Sequence, residues 1–573
     1  MRRLLAVAVC CSLIAAPIVA QQPVIPALGE TIEISIINVD VVVTDAKGNR
    51  VRGLTKDDFE IYEDGKLQPV TNFAEYVSAG DARITSSERE REVEAAPRQP
   101  RTVVIFLEEF RLPDFRVNPF FAAMKDVVGK TIESGDSLSI VTYTDHKPEV
   151  RIESSDDIEV ISEVIDEIRK ESIGVAPPSA ALVYRQAKER REFEATSQEM
   201  AVGRGVQAEA PDAETIATLE AKPFAIQARD EMRRRIKAIN AVIHRLAGVE
   251  GRKVLLLATN RLGAYAGAEF FYAAGLDKVP AMEHDEFDNR DDVRTIIDNA
   301  NDAGVTIYPF YPPGLDMEAL GTELAMRRGT EVMAQTQGVN SGEGQTAAGT
   351  VTDPRGIDNL IMINENSMLT EVAEKTGGMM SWGTANIANL LPRIADDLTD
   401  YYSLAYRATT KKDGVPRRVT VKTKKRGYDV RARREVVEKS EHMRMQDRVN
   451  AAVLGDVAPP PFDIAAEVTA LKNGVLPLKV RVPIASLTLV PTDEKFTGAF
   501  SVYVVSANVK GDVSDVTRQT QTFEIKEADL GKADNAHFTY EVDMRVAENT
   551  TRVAVGVIDE VSKSYGLVSV PVQ

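Results

Sequence analysis

The feature that most constrains the fold is a set of short apolar runs separated by stretches with helical spacing. Between residues 101 and 310 the runs are Val103–Leu107, "SLSIVTYT" at 137–144, "VLLLA" within 253–258, and "VTIYPFY" after Gly304. Each has strand length and is apolar enough for burial on both faces. Between them, Pro119–Glu133 reads as helix, and Ile158, Ile161, Ile165 and Ile168 recur at helical spacing. "RDEMRRRIKAINAVIHRLAG" is a further helix stopped by Gly248, and "RDDVRTIIDNANDAG" is one capped by Gly304. Strands alternating with helices predict parallel βαβ units covered on both faces. Two insertions interrupt this region, 172–225 (rich in Ala, Glu and Arg) and 314–362 (rich in Gly, Thr and Met). "MLTEVAEKTGG" and "NIANLLPRIADDLTDYY" are the closing helices, the second with Pro392 inside it.

The flanks carry a different period. In "TIEISIINVDVVVTDAKGNRVRGLTKDDFEIYEDGKLQPVTNF", Ile32, Ile34 and Ile36 share one face, with "DAKGN" and "EDGK" as turns and Thr55 as an N-cap. A module at 31–78 buries too little surface to stand alone, so it is expected to pair with strand runs at 401–434. Residues 80–100 read as a linker, as does the charged segment 435–460. About seven strand runs between 461 and 573 predict a β-sandwich.

At 573 residues the chain is too long for one core. A net charge of −18 argues against a general nucleic-acid binder. Arg2 and Arg3, the apolar run from Leu4 towards Ile14, and "APIVA" read as a signal peptide over 1–20, cleaved after Ala20. Such a signal implies export to the periplasm or the extracellular space. Lipidation at Cys10 or Cys11 competes, although the preceding Val9 and Cys10 suit it poorly. Cleavage after Ala20 leaves no cysteine. No later apolar run is long enough for a transmembrane helix.

At this point the residues resemble a known family, the VWFA-related proteins typical of Acidobacteria. The resemblance rests on "VDVVVTDAKGNRVRGLTKDDFEIYEDGKLQPVTNF", on "GDSLSIVTYTD", on "LTEVAEKTGGMMSWGTANIANLLPRIADDLTDYYSLAYRAT" and on "VTVKTKKRGYDVRARR". It implies an α/β fold: a Rossmann-like von Willebrand A-type domain over 101–400, with a mostly parallel sheet and helices on both faces. That domain would be inserted in the small β-module, with the β-sandwich at the C-terminal end. The resemblance also implies protein binding, often through a metal-ion-dependent adhesion site. Such a site takes Asp-x-Ser-x-Ser from one loop, a Thr from a second and an Asp from a third, all hard oxygen ligands. Here the first loop falls on Glu108, Phe110 and Leu112, the third-loop Asp falls on Thr259 and Asn260 after the third strand, and the Thr loop falls in the 172–225 insertion, where no residue is assigned. Phe110 and Leu112 cannot coordinate a hard cation, so the site reads as degenerate and no cofactor is expected.

The remaining chemistry is sparse. Glu108 and Glu109 are adjacent on a strand end, so their side chains diverge, and both read as solvated rather than as a paired catalytic acid. "HDEFDNRDD" (284–292) lacks calcium-loop spacing, and its Asp291 and Asp292 suit the start of the next helix. The five histidines are scattered, and no HExxH, Gly-x-Ser-x-Gly elbow or phosphate loop is present. Residues 407–434 hold twelve Lys/Arg against two Asp. Arg417, Arg418, Lys422, Lys424 and Lys425 are the candidate partner-binding residues there, against the alternative of a strand with its charged face in water. Trp382 reads as a packing residue. The leading expectation is a secreted, non-catalytic protein that binds an unidentified protein or cell-envelope component. A carboxylate-dependent hydrolase and a structural envelope scaffold are the alternatives.

Overall fold

A computed structural model describes residues 36–77, 100–111, 114–174, 183–188, 190–191, 213–259, 262–276, 278–310, 364, 367–380, 387–408, 414–455, 460–492, 495–509, 512–533 and 536–572. The expected signal peptide, Leu112, Asn260, the insertion 314–362 and Trp382 lie outside the described residues.

Two small antiparallel sheets join the first segment to a distant one. Strand Ile36–Asp45 lies between Tyr401–Arg407 and Tyr428–Ala432, and Val70–Tyr76 extends that sheet. The second sheet runs Glu435–Val437, Pro416–Thr423, Phe59–Glu63, Lys66–Gln68. Val39, Val41, Ile61, Leu404, Tyr406 and Val419 fill the space between them. Period-two patterning drives this: Val419 and Val421 are buried while Thr420 and Lys422 are exposed. Asp64 and Gly65, at φ 47° and 80°, close the tight hairpin between Phe59–Glu63 and Lys66–Gln68.

The intervening chain builds a five-stranded sheet in the order Lys147–Ser155, Ser137–Thr144, Arg101–Glu108, Arg252–Ala258, Val305–Phe310. Helices Asp114–Thr131, Ile158–Glu171 and Ile387–Thr399 pack on one face. Helices Ala213–Ala247 and Arg290–Ala303, with residues 367–376, pack on the other. Ile161, Ile165 and Ile168 point inward, whereas Ile158, in the first turn after the N-cap Asp157, is exposed.

The expected fold class is corrected by the sheet topology. The four other sheets of the described residues are antiparallel throughout, and this fifth one is mixed. The chain is thus mostly antiparallel β structure with one mixed sheet, not a mostly parallel Rossmann-like von Willebrand A-type α/β protein. Part of the reason is local. Asp145 and His146 both take positive φ, 50° and 62°, which turns the chain straight back after Thr144. Lys147–Ser155 therefore enters antiparallel, with no crossover helix. The rest is long-range pairing between segments more than 300 residues apart.

The insertion expected over 172–225 is not separate from the helix after it. Residues 213–225 form the start of a single helix, Ala213–Ala247, which continues through Pro223. At 35 residues it is about 52 Å long, roughly twice the span of the strands beside it. Its first turns overshoot the sheet and pack with Phe270, Phe271 and Phe287 in a satellite core.

The C-terminal segment is a β-sandwich. One sheet comprises Ala465–Val468, Val475–Pro483 and His537–Arg545. The other is centred on Lys495–Asn508 and Thr550–Asp559. Leu478, Val480, Phe500, Val502 and Val555 lie between the two. The region read as a charged linker, 435–460, instead contains the strand Glu435–Val437 and the helix Glu441–Leu454. Met445 and Val449 of that helix press onto the outer face of the sandwich, where a Cβ on Gly556 would stand 2.1 Å from Met445 Cε. Its opposite side meets Gly248, where a Cβ would stand 2.9 Å from that of Ala451. Glycine at both contacts lets the helix seat between the sandwich and helix Ala213–Ala247. No described helix is long and apolar enough to cross a membrane.

Candidate functional site

Strand Arg101–Glu108 is buried along nearly its whole length and delivers Glu108 at its carboxyl end. In open sheets with parallel strands, that end is where ligands are commonly met. Glu108 is buried, 7% exposed, which corrects its reading as a solvated terminus. The next strand of the sheet ends at Ala258, and Thr259 comes directly after it, fully enclosed. Thr259 Oγ1 donates to Glu108 Oε2 at 2.8 Å, so two of the positions singled out in the sequence do meet.

The third member was not foreseen. Arg235, from helix Ala213–Ala247, donates from Nε to Glu108 Oε1 at 2.8 Å, with an Nη2–Oε1 separation of 2.6 Å. Both side chains are largely enclosed, 14% and 9% exposed. An internal cation therefore lies against the carboxylate where an adhesion site would place a metal. A sequence signal existed: Arg235 falls at helical spacing with Met232, Ile239 and Val242, all buried. A lone arginine on an apolar stripe implies a buried anion partner.

Phe110 is in the core, not at the surface. It packs edge-on to Phe120 (5.5 Å between centroids) and stacks on Phe121 (6.0 Å). Phe110 is thus a member of a buried aromatic cluster. Tyr143, on the neighbouring strand, is buried beside Glu108 and Arg235, with burial raising its pKa. Both carboxylate oxygens of Glu108 are thus engaged by side chains of the protein.

The other acids do not share this environment. Glu109 is exposed and pairs with Arg111 at 3.4 Å. Asp145 sits in the tight turn after Thr144. Within 284–292, Glu286 pairs with Arg229 and Lys222, Asp288 with Arg290, Asp292 with Arg233 and Asp291 with Arg294. Hydrogen bonds from Arg290 hold the Asp288 carboxyl below the usual range despite partial burial. Asp291 and Asp292 lie in the first turn of Arg290–Ala303, whose N-cap is Asn289. Among the described residues no three His, Cys, Asp or Glu side chains form a metal-holding group.

The basic segment divides in two. Arg417 is 4% exposed and holds Glu63 at 2.8 Å, with Glu438 on its other side. It joins strands inside the module and is unavailable to a partner. Arg418, Lys422, Lys424 and Lys425 are exposed. Lys422 Nζ lies 5.2 Å from the centre of the Tyr62 ring, and Lys425 pairs with Asp58 at 3.1 Å. Two of these four charges thus face neighbours within the β-module.

No family model and no curated protein matches this chain. Among solved structures, the chain is similar to the pilus adhesin SpaC from Lactobacillus rhamnosus GG in its open conformation, at 7% identity and a TM-score of 0.19. The match covers 92% of this chain and 58% of the adhesin's, so the chain spans under two thirds of that protein. A TM-score this low carries no argument about fold or function. The resemblance to VWFA-related proteins accordingly rests on the quoted residues alone.

Proposed function

We propose that this chain is an exported, non-catalytic protein that binds a protein or cell-envelope partner through its surface, its strand-end adhesion site being degenerate. The observation that carries this reading is the engagement of Glu108 by Arg235 and Thr259. It gives the strand-end acid internal partners in place of a metal or a substrate, and Phe110 adds no ligand. Surface contact is left as the route by which this end of the sheet acts. The overshoot of helix Ala213–Ala247 supports that: Leu219 is 65% exposed there, with Ile216 and Phe224 also open to solvent.

The test is affinity capture from envelope and medium fractions with the full chain and with a Leu219→Glu, Phe224→Glu variant. A partner retained by the parent and lost by the folded variant supports the proposal. Retention by both, or hydrolytic turnover abolished by Glu108→Gln, would contradict it.

A further inference from the structure

At the opposite end of the mixed sheet, where strands Arg252–Ala258 and Val305–Phe310 begin, two cavities of about 400 and 380 Å³ adjoin. They share Asn38, Gly251, Lys253, Gly304 and Arg433, which form a common cationic wall under the β-module, and the second is also lined by Glu250, Asp302, Glu438 and Asp447. Lys253 Nζ donates to the Val249 carbonyl at 2.8 Å and Arg433 Nη2 to the Gly304 carbonyl at 3.0 Å. Among the described residues neither has a carboxylate within ion-pair distance.

Neighbouring charges are matched differently. Lys439 holds both Asp302 and Asp447 at 2.5 Å, and Arg448 holds Glu250 at 3.0 Å. Arg252 reaches Asp40 at 3.7 Å, donates from Nη2 to the Asp397 carbonyl at 3.0 Å and lies 3.7 Å from the centre of the Tyr401 ring, while its Nε and Nη1 have no hydrogen-bond acceptor. The larger cavity is thus lined by three cations, Arg252, Lys253 and Arg433, against the single acid Asp40. Burial, reinforced by Arg433 and Lys439, pushes the Lys253 ammonium down to about 8. Asn301 lines the adjoining space at 3% exposure, with neither side-chain amide atom hydrogen-bonded.

Cations that share an enclosed space without a directly paired carboxylate are costly unless an anion joins them. We propose that this space binds a phosphate or sulfate group, held between the Lys253 ammonium and the Arg433 guanidinium, with Arg252 behind them and the Asn301 amide as an additional donor. An oxyanion supplies both the charge and the acceptors the site lacks, and guanidinium geometry suits it. The volume admits a group carried on a small organic molecule as well as the free ion.

The experiment is calorimetric titration of the full chain at pH 7 and fixed ionic strength, in chloride, with inorganic phosphate, sulfate and glucose 6-phosphate. The expected result is saturable one-site binding of at least one of these, with a rise in Tm. Tighter binding of the ester points to a carried group, and equal or weaker binding to the free anion. Lys253→Met and Arg433→Met should each weaken binding at least tenfold. Without anion, Lys253→Met should melt no lower than the parent, because it removes a like charge. That separates a binding role from a structural one even where Arg433→Met loses packing. Lys422→Met, on the exposed sheet, should bind as the parent does. No saturable heat with any of the three anions, or undiminished affinity in Lys253→Met, would overturn the proposal.

Discussion

The two ends of the mixed sheet handle charge in opposite ways. At the carboxyl end Glu108 is enclosed with Arg235 and Thr259, so the acid is matched beside a small cavity of about 190 Å³. At the amino end Lys253 and Arg433 line an enclosed cavity with backbone carbonyls as their hydrogen-bond partners. The carboxyl end is where parallel strands usually assemble a site. In this chain that end is closed by an internal ion pair, and the unmet charge lies at the other.

The comparison can be broken first at its closed end. Arg235→Met leaves Glu108 buried without its cation and should cost about 3–5 kcal/mol, whereas Glu108→Met with Arg235→Met should recover most of that. Denaturant melts of the two variants check this, and equal losses would mean that Glu108 is not held mainly by Arg235. Phe110→Ser places a hydroxyl after the strand end but empties an aromatic contact. It should cost about 3–5 kcal/mol, by analogy with Phe→Ala in cores. It should also gain no affinity for divalent cations, as read by calorimetry.

The open end predicts a pH effect of a definite sign. Lys253 titrates near 8 in the folded chain, below its ordinary value of 10.5. Between those values the unfolded chain binds the extra proton, so this group's contribution makes stability rise with pH from about 8 to 10.5. Urea melts across that range should show the rise in the parent and a smaller one in Lys253→Met; identical slopes would remove Lys253 from the account. The smallest effect is expected far from either end. Lys422→Ala and Lys424→Ala, on or just beyond exposed positions of Pro416–Thr423, should each shift stability by no more than about 0.5 kcal/mol. Arg417→Met, which takes its ion-pair partner from buried Glu63, should exceed both clearly.

Local period is the legible part of this fold. Val419 and Val421 against Thr420 and Lys422, or Ile161, Ile165 and Ile168, announce their buried faces because side-chain direction follows backbone geometry. Pairing is less legible. Asp145–His146 lacks the Asn-Gly or Asp-Gly signature of a tight hairpin, so the pattern hides the antiparallel edge strand and predicts a mostly parallel sheet. Helix Glu441–Leu454 is hidden because Met445 and Val449 are diluted by Arg, Asp and Gln in a segment that reads as linker. At the candidate site, the sequence places Glu108 and Thr259 on adjacent strand ends. Arg235 is obscured because it lies over a hundred residues from Glu108, in a helix dense with exposed arginines. The cationic cavity needs the β-module's Arg433 to fold against Lys253, a contact no local pattern encodes.

The most direct test of the closed carboxyl end is calorimetric titration of the full chain with Mg²⁺, Mn²⁺ and Ca²⁺. With Arg235 already holding Glu108, no saturable one-site heat is expected from any of the three. Stoichiometric Mg²⁺ binding that disappears in Glu108→Gln would contradict the account.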